Sequence, residues 1–165
     1  MSRRVAIAAD HGGFPLKADL SAWIASQGHE VIDLGAHEFD PNDDFPDFAD
    51  AAAQAIVSGD AERAIILCGS GVGASVAANK VPGVRAAICH DVYSAHQGVE
   101  HDDMNVLCIG ARVVGIEVAK ELASAFLSAE MLPGERYHRR LQKVNAMEQR
   151  ALRQAVESAN GGERG

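Results

Sequence analysis

Ala64-Ile-Ile-Leu-Cys-Gly-Ser-Gly-Val-Gly-Ala-Ser-Val-Ala-Ala-Asn-Lys80 passes from a short apolar run, through a glycine-rich turn, into a stretch of good helix formers. Four or five consecutive apolar residues read as a strand buried on both faces. The turn Gly69 to Gly73 and the run Ala74 to Lys80 then predict strand, tight turn and helix in direct succession. That unit recurs in both directions along the chain. Upstream, Val5 to Ala9 is a strand closed by Asp10-His-Gly-Gly13. Lys17 to Gln27 has helical spacing, with Leu20, Trp23 and Ile24 on one face and Gly28 as its stop. Val31 to Leu34 is the second strand, 35–44 a polar loop, and Pro46 to Ser58 a helix. Downstream, Val84 to Cys89 and Val106 to Ile109 are strands, and Val92 to Val99 and Gly115 to Ser128 are helices.

Strands that alternate with helices across short loops specify a parallel sheet covered on both faces. Right-handed crossovers turn it into an α/β, Rossmann-like, doubly wound domain with a five-stranded sheet. This domain is expected over residues 1–130. Met131-Leu-Pro-Gly134 breaks the chain, and Arg136 to Glu157 reads as one long helix. Leu141, Val144, Met147, Leu152 and Val156 form its apolar stripe. The segment 131–160 is therefore expected to be a C-terminal helical arm that reaches a dimer partner, since symmetric dimers are the commonest oligomers. Residues 161–165 are expected to be a disordered tail.

Composition narrows the function. The chain has 165 residues, 47% apolar and 23% charged, with a formal net charge of -8. A chain this acidic has no broad basic surface to neutralise nucleic-acid phosphates, so nucleic acid is not an expected partner. The basic run Arg136 to Lys143 suits one small anion. The cysteines Cys68, Cys89 and Cys108 are odd in number and lack a CxxC pair, which argues against a disulfide framework or zinc site. The start leads straight into a strand, with no signal-peptide pattern and no membrane-length apolar run, so a cytoplasmic location is expected.

In doubly wound sheets, ligands sit outside the carboxyl ends of the strands. The polar residues Asp10-His11, Cys68 to Gly73 and His90-Asp91 fall there. The turn Gly69-Ser70-Gly71-Val72-Gly73 leaves amides free at a helix start, which suits anionic oxygens. It matches neither the dinucleotide fingerprint nor the P-loop. Cys68 stands at its mouth, where a helix N-terminus is expected to lower the thiol pKa. Position alone leaves Cys68 open between a base and a small buried side chain, as Cys89 and Cys108 are read. Asp10 can accept hydroxyls or cap a helix, and His11 can bind phosphate or simply be solvated. His90, Asp91, His96, His101, Asp102 and Asp103 cluster, but their spacing does not match a zinc pattern, and no metal is expected. Arg136 and Arg140, four apart, share a helix face and can fork a phosphate. Arg112, after the fifth strand, is a further anion ligand.

Asp10-His-Gly-Gly-Phe-Pro-Leu-Lys17, Asp44-Phe-Pro-Asp47, Cys68-Gly-Ser-Gly-Val-Gly73, Ala77-Ala-Asn-Lys80, His101-Asp-Asp-Met-Asn105 and Gly110-Ala-Arg-Val-Val-Gly115 occur in this order. Together they closely resemble the type B ribose-5-phosphate isomerases and galactose-6-phosphate isomerase subunits, over about Arg4 to Arg150. The resemblance implies an aldose–ketose isomerase that passes through an enediolate, without metal or other cofactor. It also implies a homodimer or dimer of dimers with shared sites. By the same resemblance Cys68 is the proton-transfer base. Ser70 and the amides of Gly69, Gly71, Val72 and Gly73 form the anion hole, and His101 opens the sugar ring. Asp10 contacts sugar hydroxyls, and His11, Arg112, Arg136 and Arg140 contact phosphate. Asp102 and Asn105 stand beside the substrate.

Two residues depart from the family pattern. Asp102 stands where many relatives have Asn, and Phe45 where they often have Tyr. A carboxylate can only accept, and a phenyl ring offers no hydroxyl. Both bear on which sugar phosphate is used. The alternatives are a tetrulose, allose or galactose phosphate, or a non-catalytic sugar-phosphate sensor.

Overall fold

A computed structural model describes residues 2–161 of the chain. These fall into two compact units that divide between Met131 and Leu132. The first contains β1 (Arg4–Ala9), α1 (Phe14–Ser26), β2 (Glu30–Asp33), α2 (Phe45–Val57), β3 (Arg63–Cys68), α3 (Val72–Ala78), β4 (Ala86–Ile88), α4 (Val92–Asp102), β5 (Val106–Gly110) and α5 (Ile116–Ser128). The second contains α6 (Glu135–Gly161). The expected tail lies outside the described residues except for Gly161, which closes α6.

The five strands form one parallel sheet in the order β2-β1-β3-β5-β4, the doubly wound arrangement that the sequence predicts. The chain leaves β1 in one direction and returns through β3 in the other, so a crevice opens between their carboxyl ends. Register fixes what meets there. Ala9 pairs with Leu67, and Cys68 pairs with Gly110, so the ends of β1, β3 and β5 are level.

The two faces of the sheet are packed differently. On one, Val5, Ile7, Ile65, Leu67, Leu107 and Ile109 meet Leu20 and Ile24 of α1, Val99 of α4, and Leu122 and Phe126 of α5. On the other, Ala6, Ala8, Ala64, Ile66, Val106 and Cys108 meet Ala49, Ala52 and Ala53 of α2 and Ala74 and Ala78 of α3. Side chains alternate along a strand, so each strand contributes to both layers. Cys68 belongs to the alanine-rich layer, at its carboxyl edge.

Several element ends differ from the sequence expectation. Helix α1 begins at Phe14, with Pro15 in its first turn, a position that suits a residue without an amide proton. Helix α4 runs on to Asp102 and ends at Asp103, whose φ of 52° is left-handed. The α1 start is set by Gly13. A Cβ there would lie 2.2 Å from the carbonyl oxygen of Leu67 and 2.6 Å from its Cβ. Because β3 is the central strand, it cannot move aside. Gly13→Ala is therefore expected to destabilise the domain by about 1–3 kcal/mol or more. That corresponds to a melting temperature lower by roughly 5–10 °C. A thermal unfolding curve superposing on wild type would contradict the close approach.

Candidate active site

Asp10 ends β1 and is nearly fully buried. Its Oδ1 accepts the amide of Gly13 at 2.9 Å, which turns the carboxylate toward β3. There the Cys68 thiol donates to Asp10 Oδ2 at 3.0 Å. The sequence expectation of a lowered thiol pKa is overturned. Loss of hydration on burial raises it first, and the hydrogen bond to Asp10 and that carboxylate's charge raise it further. The amides of Gly71 and Gly69 pull the other way but are outweighed. A thiolate beside a carboxylate in poor solvent is disfavoured by both burial and like charge. Cys89 and Cys108 are buried apolar side chains, as expected. Burial pushes Cys89 up to about 11 and raises Cys108 as well.

The turn after Cys68 is shaped by Gly71, whose φ of 83° is left-handed, and it opens into α3. Ser70 Oγ accepts the amide of Val72 at 3.3 Å, and Ser70 is exposed to the cleft. Phe45 packs on this turn, since a Cβ on Gly73 would meet its ring at 2.8 Å. The loop after β5 is pinned alongside. Ala111 N–H donates to Cys68 O at 2.8 Å, and Arg112 N–H donates to Gly69 O at 3.0 Å. The Arg112 guanidinium consequently lies against Gly69.

Two adjoining cavities, each of about 350 Å³, share His11, Gly12 and Arg112. One adds Asp10, Cys68, Gly69 and Ser70, and the other adds Leu16, Phe39 and Ala111. Together they make a cleft with a thiol and a carboxylate at one end and two basic groups in the middle. His11 is tied to Asp43, which sequence reasoning missed. Asp43 Oδ1 accepts from the His11 amide at 3.0 Å and contacts Nδ1 at 2.6 Å. This bond, with Asp10 and the Asp43 charge behind it, raises the His11 pKa against burial and Arg112. Asp43 sits in a polar loop 32 positions away, and no local pattern marks such a pairing.

The remaining predicted residues are elsewhere. His101 and Asp102 form the last turn of α4, and Asn105 directly precedes β5. They sit where β5 begins, whereas Cys68 sits level with where it finishes. A five-residue strand, about 15 Å, separates these ends within one chain. Asn105, expected beside the substrate, uses its side chain here to join two loops. Its Oδ1 accepts the Arg85 amide at 2.8 Å and its Nδ2 donates to Gly83 O at 2.9 Å, so its amide group ties two loops. His90 accepts the Gly110 amide at 2.9 Å, and Asp91 caps α4 through the Ser94 amide at 2.7 Å. Arg136 and Arg140 are exposed on α6, in the second unit.

The family model for Ribose/Galactose Isomerase matches residues 5–144. The chain belongs to that family. It is 41% identical to ribose-5-phosphate isomerase B of Escherichia coli over 148 residues, which covers 90% of this chain and 98% of that one. It is also 41% identical to D-erythrulose-4-phosphate isomerase of Pectobacterium atrosepticum over 130 residues, 79% of this chain and 86% of that one. The structure of ribose-5-phosphate isomerase B from Mycoplasma genitalium with bound ribulose-5-phosphate superposes with a TM-score of 0.83 at 38% identity, covering 88% of this chain and 96% of that one. The resemblance read from the ordered motifs is thus borne out. As a member of the ribose/galactose isomerase family the protein is an aldose–ketose isomerase, and its substrate is a sugar phosphate.

Proposed function

We propose that the enzyme interconverts ribose 5-phosphate and ribulose 5-phosphate through a cis-enediolate, with Cys68 as base and no metal. The observation that carries this is the Cys68 thiol in one cleft with Asp10, Ser70, His11 and Arg112. Ionised Cys68 takes the proton from the carbon beside the carbonyl. The C–H electron pair becomes the C=C bond of the enediolate, and negative charge moves to oxygen. The amides of the Gly69 to Gly73 turn and the Ser70 hydroxyl offset that charge. Each such donor typically contributes about 10²–10³ in rate. The hydroxyl proton passes from one enediolate oxygen to the other, and the thiol returns its proton to the neighbouring carbon, so the carbonyl is rebuilt one position along. The phosphate does not react, and holding it on His11 and Arg112 keeps the sugar placed for transfer. Asp10 meets the sugar hydroxyls.

The proposal includes a homodimer, or a dimer of dimers. His101 stands a strand length from Cys68 in its own chain, so the ring-opening residue of a site comes from a second copy. Arg136 and Arg140 come from that copy too. The exposed Val144, Met147, Leu152 and Val156 of α6 suit burial in such a partner. A cytoplasmic location agrees with three free thiols.

A four-carbon substrate is the second reading, favoured by the likeness to an erythrulose-phosphate isomerase and by Phe45 over the turn. The test is aldose–ketose interconversion by purified protein on four- to six-carbon sugar phosphates with EDTA present. Preference for ribose 5-phosphate by kcat/KM supports the first reading, and preference for a tetrose phosphate replaces it with the second. Loss of turnover in EDTA overturns the metal-free mechanism. Binding without turnover of any sugar phosphate leaves the sensor reading.

A further inference from the structure

Asp43 is nearly buried, with a side-chain exposure of 10%, yet only one of its carboxylate oxygens is used. Oδ1 serves both the His11 amide and the His11 ring, while the buried Oδ2 has no hydrogen-bond partner. A carboxylate left half-satisfied out of water is costly unless a cation stands beside it. Among the described residues, the ionisable group paired with it is the His11 imidazole. With Nδ1 taken by Asp43, Nε2 is the His11 nitrogen left for the cleft, and it has no protein partner among the described residues. The cavity on either side is lined by His11 and Arg112 together.

We propose that Asp43 is a positioning residue for the substrate phosphate, holding His11 oriented and charged so that it and Arg112 grip a dianion together. This rests on the reading of the cleft as a sugar-phosphate site. Two cations side by side repel, and Arg112 works against protonation of His11. Asp43 offsets that repulsion from behind the ring without entering the cleft. The charged groups that face His11 are Asp10 at the end of β1, Asp43 in the loop before α2, and Arg112 after β5. The Cys68 thiol of β3 shares its cavity.

The raised His11 pKa gives the direction of the pH effect. The imidazolium persists to higher pH than an ordinary histidine, and phosphate affinity is lost as pH rises through that raised value. Asp43→Asn separates charge from tethering. The amide oxygen can still accept from the His11 amide, but it carries no charge. The expected loss falls in KM rather than kcat, about five- to tenfold at pH 8 and much smaller at pH 6. Competitive inhibition by inorganic phosphate should weaken by the same factor. The His11 imidazole, followed by NMR, should titrate at lower pH than in wild type.

A KM penalty that is equal at the two pH values, or an unmoved His11 titration, would show that Asp43 only tethers the loop. His11→Ala distinguishes the two levels of the argument. If it weakens phosphate inhibition while Asp43→Asn does not, the Asp43 inference alone fails. If His11→Ala leaves phosphate inhibition unchanged, the phosphate reading of the cleft fails and the inference goes with it.

Discussion

Replacing Cys68 by alanine is expected to lower kcat by about 10²–10⁴-fold, the usual contribution of a general base. KM should change far less, because the phosphate contacts are untouched. The pH profile gives a sharper version. The thiol donates to Asp10 at 3.0 Å and its pKa is raised by burial and by that carboxylate. The base is the thiolate, so kcat should climb with pH through a value above that of an ordinary cysteine. Asp10→Asn removes a charge and an anionic acceptor, and both had raised the pKa. The rising limb should therefore move to lower pH, whatever happens to its height. Alkylation of Cys68 by iodoacetamide, followed against pH, reads the same ionisation without substrate. A limb that stays in place in Asp10→Asn would sink the assignment of the rising limb to Cys68. Full activity in Cys68→Ala would remove it as the base.

Mixing two dead variants is expected to restore activity. Cys68→Ala lacks the base and His101→Ala lacks the ring-opening group. These residues stand at opposite ends of the sheet in one chain, and the proposal pairs each with its counterpart across a dimer. In a dimer that holds one of each, one site carries both substitutions and the other carries neither. Random pairing makes half of the dimers mixed, so about a quarter of wild-type activity should return. Co-expression with two different tags, followed by purification through both, enriches the mixed dimer and should raise the figure to about half. Mixed dimers as inactive as their parents would mean that each chain builds its own site. An active His101→Ala would mean that ring opening needs no help.

The inner strands were legible because they are dense apolar runs, and in a parallel sheet buried on both faces such runs need no alternation. The doubly wound pattern places β1 beside β3, whereas the position of β5 between β3 and β4 is read from the structure alone. The cleft was legible for the same reason, since polar residues at strand ends have one place to go. The helix ends were harder. Phe14-Pro15 reads as a loop until Gly13 is seen against Leu67. The charged run His101-Asp102 hides the last turn of α4, which keeps His101 far from its own Cys68. The Cys68 pKa was misjudged because a favourable dipole is visible in sequence, whereas burial and a carboxylate 58 positions away are not. Asp43 was missed for a similar reason, as were the loop-tying bonds of Asn105, whose partners Arg85 and Gly83 lie 20 and 22 positions away.

The unlike faces of the sheet have a consequence for how the protein can diverge. On the aliphatic side, large residues share a volume, and one can shrink as another grows. On the alanine side the buried positions of α2 and α3 are methyl groups, so those helices have little side-chain volume to trade against Ile66 and Val106 of the strands. Exchanges of buried side chains should accordingly be easier on α1, α4 and α5 than at the buried alanines of α2 and α3. Cys68 is set in the constrained layer. The sulfur is thus fixed by the part of the molecule with the fewest ways to vary, and a lineage can explore new sugars from the loops without loosening the atom that moves the proton.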